Sequence, residues 1–187
     1  MSISILIPVY NEEENLRGTF KNLINAIKII DLKDYEIIFI NDCSTDGSDK
    51  VLKEIQENNE NIIFINNKTN IGQGQAIKEG INLSKKEYIW WIPGDDNLES
   101  EEIVKMLRGY RNFDFILTKH IIERSFFRKF VSEGFTFLVN ILFNKKIDYY
   151  NCVHLIKNDI AKQIKMKSVS SFWGAEITLK LISLSKK

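Results

Sequence analysis

The sequence has 187 residues, of which 44% are hydrophobic and 27% are charged, and this composition is typical of a single globular domain. Its 26 Lys and Arg residues nearly balance its 25 Asp and Glu residues, so the net charge of +1 provides no basic field for a nucleic-acid partner. Two distant cysteines, Cys43 and Cys152, predict neither a disulfide framework nor a zinc site, and they favour a reducing, cytoplasmic compartment.

The beginning of the chain, MSISILIPVYNEEEN, contains neither the basic region nor the long apolar core of a signal peptide. The longest apolar run outside the predicted strands covers only residues 135–143, whereas a membrane-spanning helix needs about 20 residues. We therefore expect a chain that is not secreted and does not span a membrane.

Four continuous apolar runs, rich in β-branched residues, occur at regular intervals in the first half of the sequence. They cover residues 3–9, 35–40, 61–65 and 88–92. Because these runs are continuous rather than alternating, they predict strands that are buried on both faces of a parallel sheet.

Segments with helical periodicity separate the predicted strands. The first covers residues 16–27 with one apolar stripe, and shorter stripes follow within residues 51–55 and 75–84. This alternation predicts right-handed βαβ units, so the expected fold class is α/β, with a mostly parallel central sheet flanked by helices. Ligands bind such sheets at the carboxyl ends of the strands, and here Asn, Asp or Glu follows every strand.

The segment after the second strand, NDCSTDGSDK (41–50), has two interpretations. In the first, Ser44 or Thr45 caps the helix that follows and Gly47 relaxes the loop. That interpretation does not explain Asp42, whose carboxylate can accept a hydrogen bond from the N–H of a uracil or guanine base. The spacing alone leaves both interpretations open.

The segment after the third strand contains Gly72 and Gly74, but Ile77 stands where a dinucleotide-binding fingerprint needs a third glycine. That fingerprint should also follow the first strand of the sheet, so a Rossmann dehydrogenase is disfavoured. The sequence also has no G-x-x-x-x-G-K-[ST] motif, which argues against a P-loop enzyme.

The segment after the fourth strand, PGDDN (93–97), contains two adjacent carboxylates. As structure, it is a tight turn before a helix that begins near Ser100 and Glu102. As function, Asp95 or Asp96 can hold Mg²⁺ or Mn²⁺ through oxygen and leave coordination positions for phosphate oxygens. Such a cation would neutralise a leaving diphosphate, and both interpretations stay open.

The sequence becomes basic, aromatic and only loosely periodic after about residue 118. Six apolar residues can share one helix face, namely Phe127, Phe130, Val131, Phe135, Leu138 and Leu142. This face predicts either a helix that lies in a membrane interface or a core helix packed at the edge of the sheet.

One histidine and three tryptophans can be given expected roles from their positions in the sequence. His154, between Val153 and Leu155, is predicted to be a strand residue rather than a metal ligand. Trp90 and Trp91 are expected to pack on opposite faces of the sheet, whereas Trp173, close to Glu176, could stack on a sugar.

Together, the four segments that follow the strands resemble glycosyltransferase family 2 on the GT-A fold, most closely its polyprenyl-phosphate, dolichol-phosphate mannosyltransferase-like branch. The motifs are ILIPVYNEEENL, EIIFINDCSTDGS, NIGQGQAIKEGI and YIWWIPGDDNL, in the family's order. The resemblance covers residues 1–118 and is looser afterwards. It implies one domain, 1–187, with a nucleotide-sugar-binding half and, over 119–187, a shortened half that faces the acceptor and the membrane.

The resemblance also implies roles for individual residues. The donor would be bound by Pro8, Tyr10, Glu12 and Gly72, by Ile40 and Asp42 beside its base, and by Lys119 or His120 at its diphosphate. The metal would be held by Asp95 with the help of Asn97. Asp95, Asp96 and Glu176 would form the catalytic set, with Glu176 as general base if the acceptor is a hydroxyl.

The function implied by the resemblance is that of an inverting glycosyltransferase in cell-envelope glycan biosynthesis. It would transfer a sugar from a nucleoside-diphosphate sugar to a lipid-phosphate or glycan acceptor, with Mg²⁺ or Mn²⁺ and with peripheral contact to the cytoplasmic membrane face. Pro93 and Asn41 replace two family aspartates, and the family's late basic motif is missing. These departures favour an alternative, a nucleotide-binding module or pseudo-enzyme without turnover.

Overall fold

The computed structural model describes residues 2–109, 113–118, 126–150, 153–168 and 172–184. Strands and helices alternate along most of this length. Their bounds are β1 (Ser2–Val9), α1 (Leu16–Ile29), β2 (Asp34–Asn41), α2 (Ser48–Glu57), β3 (Ile62–Asn66), α3 (Gln73–Leu83), β4 (Tyr88–Trp91), α4 (Ser100–Arg108), β5 (Phe115–Thr118), α5 (Phe126–Phe143), β6 (Val153–Lys157), α6 (Asn158–Gln163) and α7 (Trp173–Leu184). The four predicted strands and three predicted helices are confirmed.

The six strands form one sheet in the order β3-β2-β1-β4-β6-β5. β1 pairs in parallel with β2 and β4, and β2 pairs in parallel with β3. β6 runs antiparallel to both β4 and β5, and His154 pairs with Leu117 within it, as predicted for a strand residue. The sheet is therefore mostly parallel, and its strand order reverses between β1 and β4, where α/β folds bind ligands.

Two apolar layers cover the faces of the sheet because side chains alternate along each strand. Helices α1, α2 and α4 pack on one face together with Ile5, Phe39 and Trp90. Helices α3, α6 and α7 pack on the other face, which contains Leu6 and Trp91. Trp90 and Trp91 thus lie on opposite faces, as expected, and the core fixes the positions of the loops at the carboxyl edge.

Helix α4 begins at Ser100, close to the predicted position. Its N-cap residue is Glu99, whose backbone N–H donates to the carboxylate of Glu102 at 3.2 Å in a capping box. The box ends the loop that follows β4 and anchors the carboxyl side of the segment 93–97.

Helix α5 presents much of its apolar surface to solvent. Five of the six residues predicted to share its face are more than half exposed, namely Phe127, Phe130, Val131, Leu138 and Leu142. Only Phe135 of that set packs inward, against Tyr150 and Phe172, with ring centroids 6.5 and 5.3 Å apart. The interpretation of this face as the buried face of a core helix is therefore wrong. Within the described residues, no helix is both long enough and apolar enough to cross a bilayer.

Candidate functional site

The loops after β1 and β2 hold each other through reciprocal hydrogen bonds. Asn11 has a left-handed φ of 57°, and its backbone N–H donates to Ser44 Oγ at 2.9 Å. The N–H of Thr45 donates in return to Asn11 Oδ1 at 2.8 Å. Ser44 and Thr45 therefore fasten the first loop, and the prediction that one of them caps α2 is wrong, because Gly47 occupies the N-cap position.

A second set of bonds joins the same loops one turn further on. The N–H of Glu12 donates to Ser48 Oγ at 3.0 Å, and the N–H of Glu13 donates to Asp46 Oδ2 at 3.0 Å. The N–H of Gly47 donates to Glu13 Oε2 at 2.8 Å, and a Cβ on Gly47 would lie 2.1 Å from Glu13 Oε1. These bonds between the two loops fix the shape of this edge of the site.

Asn41, at a position where the resemblance implies an aspartate, forms hydrogen bonds through both atoms of its amide group. Its Oδ1 accepts hydrogen bonds from Ser44 Oγ at 2.5 Å and from Ser44 N at 3.2 Å, as a carboxylate oxygen would. Its Nδ2 donates to Asn66 Oδ1 at 2.9 Å, which a carboxylate could not do. Asn66 in the neighbouring strand therefore gives the amide group of Asn41 a hydrogen-bond acceptor.

A pocket of about 280 Å³ lies at the carboxyl ends of β1, β2 and β4. It brings together six of the predicted site residues, Pro8, Tyr10, Glu12, Asp42, Gly72 and Asp95, and also contains Val9, Asn70, Gln73, Pro93 and Gly94. Asn70 and Gln73 were not predicted as site residues. The available signal was their position on either side of Gly72 in a polar segment that follows a strand.

The other predicted donor and metal residues lie around this pocket in different ways. Ile40 is fully buried in the core beneath it. Asn97 donates from Nδ2 to Asp95 Oδ2 at 2.6 Å, while the carboxylate of Asp96 contacts helix α1 instead. Lys119 and His120 lie outside the described residues, so their predicted contact with the diphosphate stays a prediction.

Asp42 is almost completely buried, with 3% of its surface exposed. Its Oδ1 accepts hydrogen bonds from Ile71 N at 2.8 Å and from Asn67 Nδ2 at 3.3 Å, and its Oδ2 accepts from Gly72 N at 2.8 Å. A carboxylate has about four lone-pair positions, so one position on Oδ2 is left for a ligand. Asp42 can therefore hold the loop before α3 and still face a base.

Asp95 differs from every other carboxylate that lines the pocket. Its Oδ1 is buried, and no donor among the described residues reaches it. A buried carboxylate oxygen without a partner is unfavourable and calls for a cation or another ligand. The described residues contain no group of three or more His, Cys, Asp and Glu side chains that could hold a metal by themselves. The geometry therefore fits a cation that takes one protein carboxylate and completes its shell with phosphate and water oxygens.

Glu176 lies away from this pocket, on the wall of a second cavity of about 730 Å³ between α5 and α7. Its carboxylate accepts hydrogen bonds from the N–H groups of Lys167 and Ser168 at 2.9 and 2.7 Å and forms an ion pair with Lys180. Burial raises the pKa of Glu176, but the bond from Lys180 and the two backbone amides outweigh burial and hold the pKa below its ordinary value. The group is therefore a stable carboxylate that ties the segment before α7 to the helix.

Glu176→Gln should make the protein less stable at neutral pH by on the order of 1 kcal/mol, because the neutral amide loses the charged bonds. A lowered folded-state pKa means that this stabilisation is complete above the ordinary carboxylate pKa and is lost as the pH falls through the lowered value. The difference between the urea midpoints of wild type and variant should therefore shrink from about pH 7 to about pH 3. The exposed Glu133→Gln on α5 is the control and should show no such difference. A gap that grows on acidification would contradict the prediction.

Trp173 is buried and cannot serve the predicted role of stacking on a sugar. Only 7% of its surface is exposed, and its ring lies 5.8 Å from that of Trp91, with the planes at 59°. A Cβ on Gly74 would lie 2.8 Å from the Cβ of Trp173, so this glycine allows α3 and α7 to approach each other. Trp173 is therefore a packing residue between two helices, and the prediction of a sugar-binding role is wrong.

A polar pocket at the point where the strand order of a mostly parallel sheet reverses lies where α/β proteins bind their ligands. The sequence model described as Glycosyl transferase family 2 matches residues 4–164 of this chain. The chain therefore belongs to glycosyl transferase family 2.

Curated relatives share parts of the sequence. The chain is 30% identical over 156 residues to an undecaprenyl-phosphate 4-deoxy-4-formamido-L-arabinose transferase of Proteus mirabilis. This alignment covers 81% of this chain and 47% of that protein. It is 36% identical over 106 residues to a poly(ribitol-phosphate) beta-glucosyltransferase of Bacillus spizizenii. That alignment covers 56% of this chain and 16% of that protein. The chain thus spans less than half the length of these two relatives.

Solved structures share the fold at low sequence identity. S. aureus TarS in complex with UDP aligns over 97% of this chain and 55% of its own, with a TM-score of 0.65 and 14% identity. Glucosyl-3-phosphoglycerate synthase from Mycobacterium tuberculosis, in complex with Mn²⁺ and UDP, aligns over 97% and 63%, with a TM-score of 0.67 and 15% identity. These neighbours are GT-A glycosyltransferases, and the expected GT-A fold is confirmed.

Proposed function

We propose that this chain forms the donor-binding part of an inverting glycosyltransferase that uses a nucleoside-diphosphate sugar and a divalent cation. The observation that carries the proposal is the buried Oδ1 of Asp95, which lacks a partner among the described residues at the wall of the strand-edge pocket. The family membership of the chain and the UDP and Mn²⁺ bound by its structural neighbours support the same chemistry.

The pocket residues divide the work of binding a nucleoside diphosphate. Asp42 faces the base with its free lone pair, while Pro8, Tyr10, Glu12 and Gly72 form the walls. Asp95 holds Mg²⁺ or Mn²⁺, and Asn97 fixes its other oxygen at 2.6 Å. The cation, when bound, neutralises the charge that develops on the departing diphosphate. Lys119 or His120 is proposed to add positive charge there.

Titration of the purified chain with UDP, GDP and dTDP, with and without MnCl₂, tests the donor site. We expect one diphosphate to bind in a manner that requires Mn²⁺, because the carboxylates of the pocket otherwise repel the diphosphate. The matching sugar nucleotide should bind at the same site in competition. If no nucleoside diphosphate binds with Mn²⁺ or Mg²⁺ present, the proposed function is wrong.

A second candidate, a nucleotide-binding module without turnover, is favoured by one observation. Pro93 lines the pocket where the resemblance implies an aspartate, and the carboxylate of Asp96 bonds to α1, so Asp95 is the carboxylate of that turn that lines the pocket. Both candidates bind the nucleotide, and only the first transfers the sugar. The test is to incubate the chain with labelled donor and either polyprenyl phosphate or a glycan acceptor. A labelled product forms if the chain is a transferase and does not form if it is a binding module.

The acceptor side is proposed to contact a membrane and to take a lipid phosphate. Helix α5 exposes Phe127, Phe130, Phe137, Leu138, Ile141 and Leu142, among other large apolar side chains. The adjoining 730 Å³ cavity is lined mainly by apolar side chains of α5 and α7, with Lys145 and Lys167 among its residues. Neither lysine has an ion-pair partner among the described residues, so both are available to an anionic headgroup.

Vesicle sedimentation tests this contact with the membrane. The chain should bind phosphatidylcholine vesicles that contain phosphatidylglycerol more tightly than vesicles of phosphatidylcholine alone. The double variant Phe130→Ser and Leu142→Ser should weaken binding roughly 10-fold or more, because each side chain contributes about 1.5–3 kcal/mol when buried. The matched control is Ile29→Ser, since Ile29 is an exposed apolar residue at the end of α1. Equal binding of the double variant and wild type would contradict the membrane contact.

A further inference from the structure

Helix α1 holds the turn that carries Asp95 through one buried hydroxyl group. Thr19 is 5% exposed, and its Oγ1 donates to the carbonyl oxygen of Gly94 at 3.1 Å. The same Oγ1 accepts a hydrogen bond from the backbone N–H of Asp96 at 3.0 Å. Thr19 therefore bonds the residue before Asp95 and the residue after it, and so constrains the backbone on both sides of that carboxylate.

The side chain of Asp96 is fixed by the same helix. Asn22 Nδ2 donates to Asp96 Oδ1 at 3.1 Å. A Cβ on Gly18 would lie only 1.9 Å from Asp96 Oδ2, so the bare glycine creates the space that this carboxylate occupies. Glycine inside a helix is unfavourable by up to about 1 kcal/mol relative to alanine, and the notch gives Gly18 a structural reason to be there.

The backbone of the turn depends on this support. Asp96 has a left-handed φ of 55°, which is uncommon for a residue other than glycine and persists where surrounding bonds hold it. On the other side, a Cβ on Gly94 would lie 3.3 Å from the carbonyl oxygen of Pro8, so the turn also rests closely on the loop after β1. The turn is thus held between α1 and that loop.

We propose that Thr19 is a positioning residue for the cation site, an inference that rests on the proposed function. Thr19, Gly18 and Asn22 hold the turn so that Asp95 keeps its unpartnered oxygen at the pocket, while Asp96 is turned towards α1 and serves the backbone rather than the reaction. The two adjacent carboxylates therefore have different tasks, one binding the ligand and one shaping the turn. No motif in the sequence marks Thr19, which lies 76 positions before Asp95.

The experiment compares Thr19→Val, which keeps the shape of the side chain but removes the hydroxyl, with Thr19→Ser, which keeps the hydroxyl. The first measurement is the Kd for Mn²⁺ with saturating UDP. Thr19→Val should raise this Kd about 10- to 100-fold, as is typical when a group that orients a metal ligand is lost, and Thr19→Ser should restore it. Thr178→Val is the matched control, because it removes a buried helical hydroxyl that donates to the Tyr150 carbonyl oxygen at 3.0 Å. This control should leave the Kd unchanged.

The second measurement is hydrogen exchange of the Asp96 amide in the chain without ligand. The amide should be protected in wild type and in Thr19→Ser and should exchange faster in Thr19→Val. A Kd within twofold of wild type for Thr19→Val, or an Asp96 amide that exchanges equally in all variants, overturns the inference. If wild type binds no nucleoside diphosphate with Mn²⁺, the proposed function fails instead, and the exchange rates alone then decide whether Thr19 holds the turn.

Discussion

Replacing Asp95 with alanine is expected to weaken Mn²⁺ binding, measured with saturating UDP, on the order of 100-fold or more and to reduce sugar transfer by a similar factor. The reason is that Asp95 Oδ1 is a buried carboxylate oxygen at the pocket to which no described residue donates a hydrogen bond. With that oxygen removed, the diphosphate would meet Glu12 and Asp42 without a cation to offset their charge.

Asp31→Asn is a matched control for the loss of one aspartate charge. Asp31 is exposed in the turn between α1 and β2, and its φ of 53° is one that asparagine accepts. We expect the Kd for Mn²⁺ to be the same in this variant and in wild type. If Asp95→Ala keeps cation-dependent binding of the nucleotide, the metal site has been assigned to the wrong residue.

Asp95→Ala should leave the free energy of unfolding of the chain unchanged or raise it. A buried carboxylate oxygen without a partner is unfavourable for folding, and binding sites often carry such groups at the expense of stability. We therefore expect the urea midpoint of Asp95→Ala to equal or exceed that of wild type while the Kd for Mn²⁺ rises. A large loss of stability would indicate that Asp95 is a structural residue of the turn.

The fold was predictable because its central strands β1, β2 and β4 are buried on both faces. The runs at residues 35–40 and 88–92 contain almost nothing but large apolar side chains, and such continuous runs between helical segments are typical of the central strands of a parallel sheet. The directions of β5 and β6 were not predictable, because these short strands pair antiparallel through contacts distant in sequence.

The site was predictable as a set of loops but not in its internal bonds. Polar residues after each strand pointed to the carboxyl edge of the sheet, and the pocket forms there. Sequence spacing could not show that Ser44 bonds Asn11 rather than capping a helix, since the two residues lie 33 positions apart. Nor could it separate Asp95 from Asp96, because the difference between them comes from Thr19 and Asn22 on a helix far back in the chain.

The apolar face of helix α5 could not be assigned to one structural role from its sequence pattern. Its periodic apolar residues fit a core helix and an interfacial helix equally well, because both need one continuous apolar face. The distinction comes from what the face contacts, and in the structure Leu142 and Phe130 are 75% and 67% exposed.

Replacing Asp42 with asparagine is expected to destabilise the chain by about 1–3 kcal/mol, since a buried backbone donor loses its acceptor. In wild type, one carboxylate serves the N–H groups of both Ile71 and Gly72 at 2.8 Å. An amide has one oxygen, so its NH₂ group would face one of those N–H donors. The loop before α3 should loosen, and amide exchange at Gly72 should become faster than in wild type.

Asp42→Asn should also bind the nucleotide more weakly, either because the loop loosens or because a direct bond to the base is lost. A modified ligand distinguishes these two causes. The comparison uses the preferred nucleoside diphosphate and its analogue methylated at the base N–H. If Asp42 accepts that N–H through its remaining lone pair, methylation weakens binding to wild type about 10-fold or more but has little effect on Asp42→Asn. If Asp42 only holds the loop, methylation has the same effect on both proteins. Asp31→Asn, in the exposed turn between α1 and β2, is the control, and its affinity for both ligands should match wild type. Because the three bonds to Asp42 leave one lone pair on Oδ2, we expect the first result, in which one carboxylate both orders the loop and selects the base.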